Sequence, residues 1–340
     1  MRVLIVKTSS MGDLIHTLPA LTDAQNAIPG IRFDWVSEAG FAEVPTWHPA
    51  VDKVVPVSIR RWRKSLFSQQ TRQEWKAYKS DLQSREYDLI IDAQGLVKSA
   101  ALVARLAKGP KAGFDKHSAR EPLASRFYDR TFAVEKHQHA VERIRQLFAQ
   151  ALGYELPTSY GQANIQATLL ASGQANLTDT SPYLVFLHST TRHEKHWPES
   201  YWEALIKQAT DAGWKVKLPW GSEAEQARAK RLAAIAPQHA EVLPKLSLTK
   251  VAEVLAGASA VVSVDTGLAH LTAALDKNNV ILYASTNPEL IGGYGANQVF
   301  LQAKDCPATD TVTDPIGFAP LTPEIVWQTL CEFESVSVKA

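Results

Sequence analysis

The sequence predicts an α/β protein built from two Rossmann-like domains, each a doubly wound parallel sheet covered by helices. Three observations predict it. Short β-branched runs alternate with helical patterns along most of the chain. The alternation stops once, over a polar stretch near the middle, and then restarts. The 340 residues exceed one ordinary core and suit two domains of about 150 residues each.

Val3–Val6 opens the chain as a continuous apolar run, the kind of strand that a parallel sheet buries on both faces. Phe33–Val36, Val54–Val57 and Leu89–Asp92 repeat the signal. Gln73–Gln83 and Lys98–Ala107 read as helices between strands. A further helix, about His139 to Leu152, places Val141, Ile144, Leu147 and Leu152 at helical spacing. Pro157–Pro182 is rich in Ser, Thr, Gln, Asn and Ala and reads as the domain junction. Beyond it Tyr183–Leu187, Lys215–Pro219, Glu241–Leu243, Val261–Val264 and Val280–Tyr283 read as strands. Pro198–Asp211, Glu223–Ala236 and about Pro323 to Phe333 read as helices. The expected division is 1–160, 161–322 and a closing helix and tail over 323–340. In such folds ligands sit at the carboxyl ends of the strands.

Composition narrows the function. Apolar residues make up 45% and charged residues 21%, the balance of a globular chain rather than a disordered one. A net charge of +1 excludes a globally basic nucleic-acid binder and leaves room for local patches. Two cysteines, Cys306 and Cys331, make neither a disulfide framework nor a metal cluster, and fit a reducing cytoplasm. The four apolar residues before Lys7 are too few for a signal peptide. No stretch approaches the ~20 apolar residues of a membrane span, so any membrane contact is expected to be peripheral.

Strand one runs into Lys7-Thr8-Ser9-Ser10-Met11-Gly12-Asp13 and then a helix. The loop is neither a Walker loop nor GxGxxG, so ATPase and dinucleotide readings lose their main support. Asp13 stands where catalytic groups collect. Asp13 or Ser10 equally suits a helix cap, and Pro19 is placed to kink the helix. His188–Pro198 follows a strand and precedes a helix. It offers the hydroxyls of Thr190 and Thr191 and the cations of Arg192 and Lys195, a set that suits a diphosphate. Val264–His270 is a second loop of this type. Asp265 ends a strand, and Thr266 and Gly267 open a helix whose free N–H groups suit an anion. His270 follows one turn on, and either a structural or a binding histidine fits there. Glu225, in the loop after a third strand, suits ribose hydroxyls or the acidic first turn of a helix.

Arg60-Arg61-Trp62-Arg63-Lys64 sets four cations in five residues. Such a run is either a solvated face or, with Trp62, Leu66 and Phe67 beside it, a patch for an anionic acceptor near a membrane. Arg120 is a candidate to join it. The D-x-D pair that often holds a divalent ion on a nucleotide-sugar diphosphate does not occur.

VLIVKTSSMGD (Val3–Asp13), Asp92-Ala93-Gln94-Gly95, TTRHEKHW (Thr190–Trp197), VDTGLAH (Val264–His270) and IGGYG (Ile291–Gly295) together resemble the ADP-heptose:lipopolysaccharide heptosyltransferases. The resemblance also takes in the Arg60–Lys64 run and Ala119-Arg120-Glu121-Pro122. It implies a GT-B fold, with an N-terminal acceptor-binding domain and a C-terminal donor domain. It implies inverting transfer of heptose from ADP-heptose to Kdo of the lipid A inner core, with no metal or other cofactor. Asp13 would be the general base. Thr190, Thr191, Lys195, Thr266 and Gly267 would hold the diphosphate. Glu225 would contact ribose, Leu246 would lie beside adenine, and Asp265 and His270 would complete the donor site. The family commonly has Met where Leu246 stands. Arg60, Arg61, Arg63, Lys64 and Arg120 would hold the acceptor's phosphates. The expected location is the cytoplasmic face of the inner membrane. Three other functions fit parts of the pattern: a sister transferase with another core acceptor, a sugar-nucleotide epimerase, and a non-catalytic nucleotide or lipopolysaccharide binder. ADP release that depends on acceptor separates the transferases from the other two.

Overall fold

The structure is a computed structural model that describes residues 1–165, 169 and 181–337. The chain divides into two compact units, Met1–Thr168 and Leu169–Ala340. Of the expected junction Pro157–Pro182, positions 166–168 and 170–180 lie outside the described residues.

The first unit holds a parallel sheet of β1 (Arg2–Val6), β2 (Arg32–Glu38), β3 (Val51–Val57), β4 (Leu89–Asp92), β5 (Lys111–Phe114) and β6 (Arg130–Phe132). Its order is β3-β2-β1-β4-β5-β6. Val3–Val6 in the central strand are fully buried, as a strand covered on both faces requires. The second unit holds β7 (Tyr183–Leu187), β8 (Lys215–Leu218), β9 (Ala240–Val242), β10 (Ala260–Val264), β11 (Asn279–Tyr283) and β12 (Gln298–Gln302). Their order is β12-β11-β10-β7-β8-β9, again all parallel. Trp197, Trp202, Trp214 and Phe186 fill its core against helices Glu199–Asp211 and Pro323–Cys331.

In each sheet the strand order reverses once, between β1 and β4 and between β7 and β10. At such a point successive crossovers leave on opposite faces, and the strand ends there form a natural ligand site. The loops after β1, β4, β7 and β10, four of those singled out in the sequence, lie at these two points.

The two-domain α/β expectation holds, and several elements differ in detail. Strands β5, β6 and β12 do not stand out in the sequence. β5 (KAGF) and β6 (RTF) are short, β5 carries Gly113 at its centre, and β6 and β12 are edge strands with little apolar demand. Gly113 in β5 is needed for close approach, since a Cβ there would lie 2.4 Å from the Tyr128 ring. The helix expected over Gln73–Gln83 begins at Gln69, because Ser68 caps it by accepting the Thr71 N–H. The helix expected over Lys98–Ala107 is one α-turn, Val97–Ser99, running into a π-turn at Ala100–Ala104. The kink expected from Pro19 is a full break. One helix ends at Ile15, and the next, Leu18–Ala27, takes Pro19 in its first turn, where no N–H partner is lost.

Candidate functional site

In the first unit Val6 is paired with Asp92, so the ends of β1 and β4 lie side by side. The turn after β1 is anchored from both neighbouring strands. Trp35 Nε1 donates to the Lys7 carbonyl at 2.9 Å, and the Glu38 N–H donates to the Thr8 carbonyl at 2.9 Å. From the β4 side, Gln94 Oε1 accepts the N–H groups of Thr8 at 2.9 Å and Ser9 at 3.2 Å. Helix Met11–Ile15 then starts with Ser10 as its cap and Asp13 in its first turn.

Asp13 therefore serves the start of the helix and still keeps part of its carboxylate exposed. Its Oδ2 accepts the Ser10 N–H at 2.7 Å and the Ser10 hydroxyl at 3.0 Å. Its Oδ1 lies 3.6 Å from Lys7 Nζ, and the side chain is 39% exposed. Its partial burial acts to raise the carboxyl's pKa. The Lys7 charge, the two Ser10 hydrogen bonds and the Arg120 charge act the other way and win, so the group titrates below its ordinary value. Lys7 is itself buried, and its ammonium donates to the Ala93 carbonyl at 3.0 Å. A buried cation is costly unless paired, and here the carboxylate and the carbonyl supply the partners.

Arg120 reaches this place because its segment is stitched to the turn after β4. The Glu121 N–H donates to the Gly95 carbonyl at 3.0 Å, and the Glu121 carboxylate accepts the Val97 N–H at 2.6 Å. Gly95 adopts φ +64°, and a Cβ there would sit 3.4 Å from the Arg120 nitrogen. Left-handed backbone against a neighbouring chain is a glycine position.

The basic run occupies helix Ile59–Trp62 and the turn after it. Trp62 points inward, packing on Trp75 and Tyr78 with ring centroids 5.7 Å away in each case. Arg61 grips Glu74 with both guanidinium nitrogens, at 3.1 and 2.6 Å. Arg60, Arg63 and Lys64 are exposed, as are Leu66 at 58% and Phe67 at 86%. Glu38, at the end of β2, ties the run to the sheet by accepting the Arg60 N–H at 3.2 Å. Burial pushes the Glu38 carboxyl up, against the pull of Arg60 and Lys98.

In the second unit the loops after β7 and β10 meet. Lys195 Nζ lies 2.5 Å from Asp265 Oδ2, and the Thr190 hydroxyl donates to the Asp265 carbonyl at 3.0 Å. Thr286, after β11, donates its hydroxyl to Asp265 Oδ2 at 2.6 Å. Helix Gly267–Ala274 starts beside them with Thr266 as cap, and no side-chain hydrogen bond closes that end. Its first N–H groups are donors of the sort that hold an anion. His270 is buried one turn along. Thr191 is exposed, and Leu246 is half-buried in the turn after β9.

Glu225 has a structural partner set of its own. Its Oε2 accepts the N–H groups of Gly221 at 2.7 Å and Ser222 at 3.0 Å, closing a capping box on helix Glu223–Ala233. Arg228, one turn on, donates to His196 Nδ1 at 2.5 Å and to the Trp197 carbonyl at 2.8 Å. That side chain pins the end of the loop that carries Lys195. Lys7 and Gln94 lie inside sequence motifs that assign them no role of their own, and Glu38, Arg228 and Thr286 lie outside every motif. Glu38, Gln94, Arg228 and Thr286 act across 21 or more residues, whereas Lys7 stands close in sequence to Asp13 and, as a cation at the end of a buried strand, carries a local signal.

Among the described residues no group of three or more His, Cys, Asp or Glu side chains is placed to hold a metal ion. No described helix is long and apolar enough to cross a membrane.

Comparison with known proteins places this arrangement. Residues 75–316 match the model of glycosyltransferase family 9 (heptosyltransferase). The chain is 60% identical over 304 residues to lipopolysaccharide heptosyltransferase 1 of Escherichia coli K12, covering 89% of this chain and 94% of that one. It is 56% identical over 320 residues to the Pseudomonas aeruginosa protein of the same name, covering 94% and 88%. A solved structure of E. coli heptosyltransferase WaaC with ADP superposes with a TM-score of 0.91 at 56% identity, covering 98% of this chain and 99% of that one. At this identity over nearly the full length, the chain belongs to glycosyltransferase family 9, the heptosyltransferases.

Proposed function

We propose that the protein transfers heptose from ADP-heptose to a Kdo residue of the lipid A inner core, with inversion and without a metal. The protein is a glycosyltransferase and acts in lipopolysaccharide core biosynthesis. The donor is supported by the WaaC structures solved with ADP and with ADP-2-deoxy-2-fluoro heptose. The observation that carries the mechanism is Asp13, a carboxylate kept ionised by Lys7, Ser10 and Arg120 at the reversal point of its sheet.

The chemistry follows from charge. As the bond to ADP breaks, the sugar gains oxocarbenium character and the diphosphate gains negative charge. Lys195, the hydroxyls of Thr190 and Thr191, and the N–H groups at Thr266 and Gly267 offset that charge where it develops. Asp13 takes the proton of the attacking acceptor hydroxyl through Oδ1, because Oδ2 is occupied by Ser10. Asp265 orients Lys195, His270 completes the donor site one turn into the helix, and Leu246 walls the adenine. Glu225 meets the ribose with the carboxylate oxygen that its cap leaves over.

Acceptor-dependent ADP release tests this. With ADP-heptose and Kdo-lipid A in EDTA, the protein should release ADP at the rate seen without chelator. ADP formed equally fast without acceptor would defeat the transferase reading. Activity lost in EDTA and regained with magnesium or manganese would defeat the metal-free one.

The acceptor patch is Arg60, Arg63, Lys64 and Arg120, with Arg61 held back by Glu74 unless the acceptor displaces it. Arginine forks suit phosphates and Kdo carboxylates. The exposed Leu66 and Phe67 beside the exposed cations of Arg60–Lys64 support peripheral contact with an anionic membrane surface. Arg60→Gln with Arg63→Gln should raise the acceptor KM roughly tenfold for each charged hydrogen bond removed and leave the ADP-heptose KM alone. Arg61→Gln alone should do less. Steady-state kinetics with acceptor varied at saturating donor reads this, and an unchanged acceptor KM would reduce the run to a solvated face.

A further inference from the structure

We propose that Gln94 is a positioning residue for the Asp13 base, holding the turn Thr8–Ser10 in register through its side-chain carbonyl oxygen. The inference rests on the reading of Asp13 as the general base.

The geometry builds in three steps. Asp92, at the end of β4, is fully buried. Its carboxylate accepts the N–H groups of Gln94 at 2.9 Å and Gly95 at 3.2 Å, the Ser99 hydroxyl at 2.9 Å and the Tyr128 hydroxyl at 2.9 Å. A buried carboxylate with that many donors is a fixed point, and it fixes the backbone of Gln94. The Gln94 side chain is itself buried, at 7% exposure. Its Oε1 bridges to β1's turn, accepting Thr8 N–H, Ser9 N–H and, at 3.4 Å, the Thr8 hydroxyl. Amide donors converge there, so the side-chain oxygen and not its nitrogen must face them. The third step is covalent: Ser9 is followed by Ser10, whose N–H and hydroxyl hold Asp13 Oδ2.

Among the described residues, Gln94 is the side chain that holds these two N–H groups. Trp35 and the Glu38 N–H anchor the carbonyls of the same turn from the β2 side. Removing the Gln94 oxygen would leave two amide donors without an acceptor in a buried place, a condition the loop would escape by moving. Movement of Ser9 and Ser10 carries Asp13 away from the acceptor hydroxyl. A displacement of about 1 Å at a reacting group costs on the order of 10²-fold in rate. The donor loops after β7 and β10 belong to the other unit, so binding of ADP-heptose should be untouched.

The test compares Gln94→Met and Gln94→Glu in the full-length protein. Methionine keeps the length and loses the acceptor. Glutamic acid keeps a carbonyl oxygen in either protonation state. Gln94→Met should lower kcat roughly 10²-fold, with the KM for ADP-heptose and for Kdo-lipid A unchanged. Gln94→Glu should recover most of that loss. A purely structural role would lower the melting temperature of Gln94→Met and leave the kcat of its folded fraction at the wild-type value. Wild-type kcat in Gln94→Met, or a Gln94→Glu as slow as Gln94→Met, overturns the proposal. Asp13→Asn, run beside them, keeps the two readings apart. If it turns over normally, the base reading fails. If it is slow while Gln94→Met is fast, only the positioning role fails.

Discussion

Asp13→Asn should lower kcat by about 10²–10⁴-fold, the usual cost of losing a positioned base, and should leave ADP binding as it is. The substitution is chosen for what it keeps. Asparagine presents a carbonyl oxygen to the Ser10 N–H and hydroxyl, so the start of helix Met11–Ile15 retains its acceptor. It cannot take a proton, and its amide would face the Lys7 ammonium that Oδ1 now faces at 3.6 Å. The loops proposed to hold the donor lie in the second unit, after β7 and β10, so calorimetric titration with ADP should match the parent. Turnover near the parent's rate would reduce Asp13 to a helix cap. The pH profile follows from the same contacts. Lys7, Ser10 and Arg120 hold the carboxyl below its ordinary value against the effect of burial. The base form is then complete above the ordinary Asp range and is lost only as pH falls through the depressed value. The acid limb of kcat/KM should lie below the ordinary Asp range, and Lys7→Met should move it up.

Which parts of this were legible in the sequence depends on how far each signal reaches. Val3–Val6 announces a doubly buried strand by itself, and a turn that follows such a strand marks where Asp13 stands. The loops before Lys195 and Gly267 are marked in the same way by Tyr183–Leu187 and Val261–Val264. β5 is illegible because it is four residues long with a glycine inside, and β6 and β12 because edge strands make little apolar demand on their residues. Arg61 and Glu225 show a second limit. Charge in a run or in a first turn is visible, but its partner is not. Glu74 lies 13 residues from Arg61 and occupies its guanidinium, and the Gly221 and Ser222 N–H groups occupy one oxygen of Glu225. Gln94 lies 86 residues from Thr8. The Asp92–Gly95 motif marks its segment but not the partner of its amide, and only the pairing of β1 with β4 brings it to the turn.

Lys195→Met should weaken ADP binding by roughly 10–150-fold, the equivalent of a charge-assisted hydrogen bond of about 1.5–3 kcal/mol. The effect has two sources, and the structure separates them. The first is the lost attraction between the ammonium and the diphosphate. The second is Asp265, which is 9% exposed and pairs with Lys195 at 2.5 Å. Without the lysine, among the described residues, the hydrogen bonds to this carboxylate's Oδ2 reduce to that of the Thr286 hydroxyl, and in the proposed donor site its charge would be left beside the phosphates. Asp265→Asn placed on top of Lys195→Met removes that repulsion while keeping an oxygen for Thr286. The double variant should therefore bind ADP more tightly than Lys195→Met and less tightly than the parent. Salt sharpens the comparison. Screening acts over about 8 Å at physiological ionic strength, so added salt should weaken ADP binding to the parent, and the double variant should respond less. Calorimetry with ADP, at two salt concentrations, reads all of these. ADP affinity unchanged in Lys195→Met would mean that the loop after β7 is a solvated turn and that the diphosphate is held elsewhere. A double variant no tighter than the single one would mean that Asp265 does not face the diphosphate, and its role would shrink to anchoring Thr190 through its main-chain carbonyl.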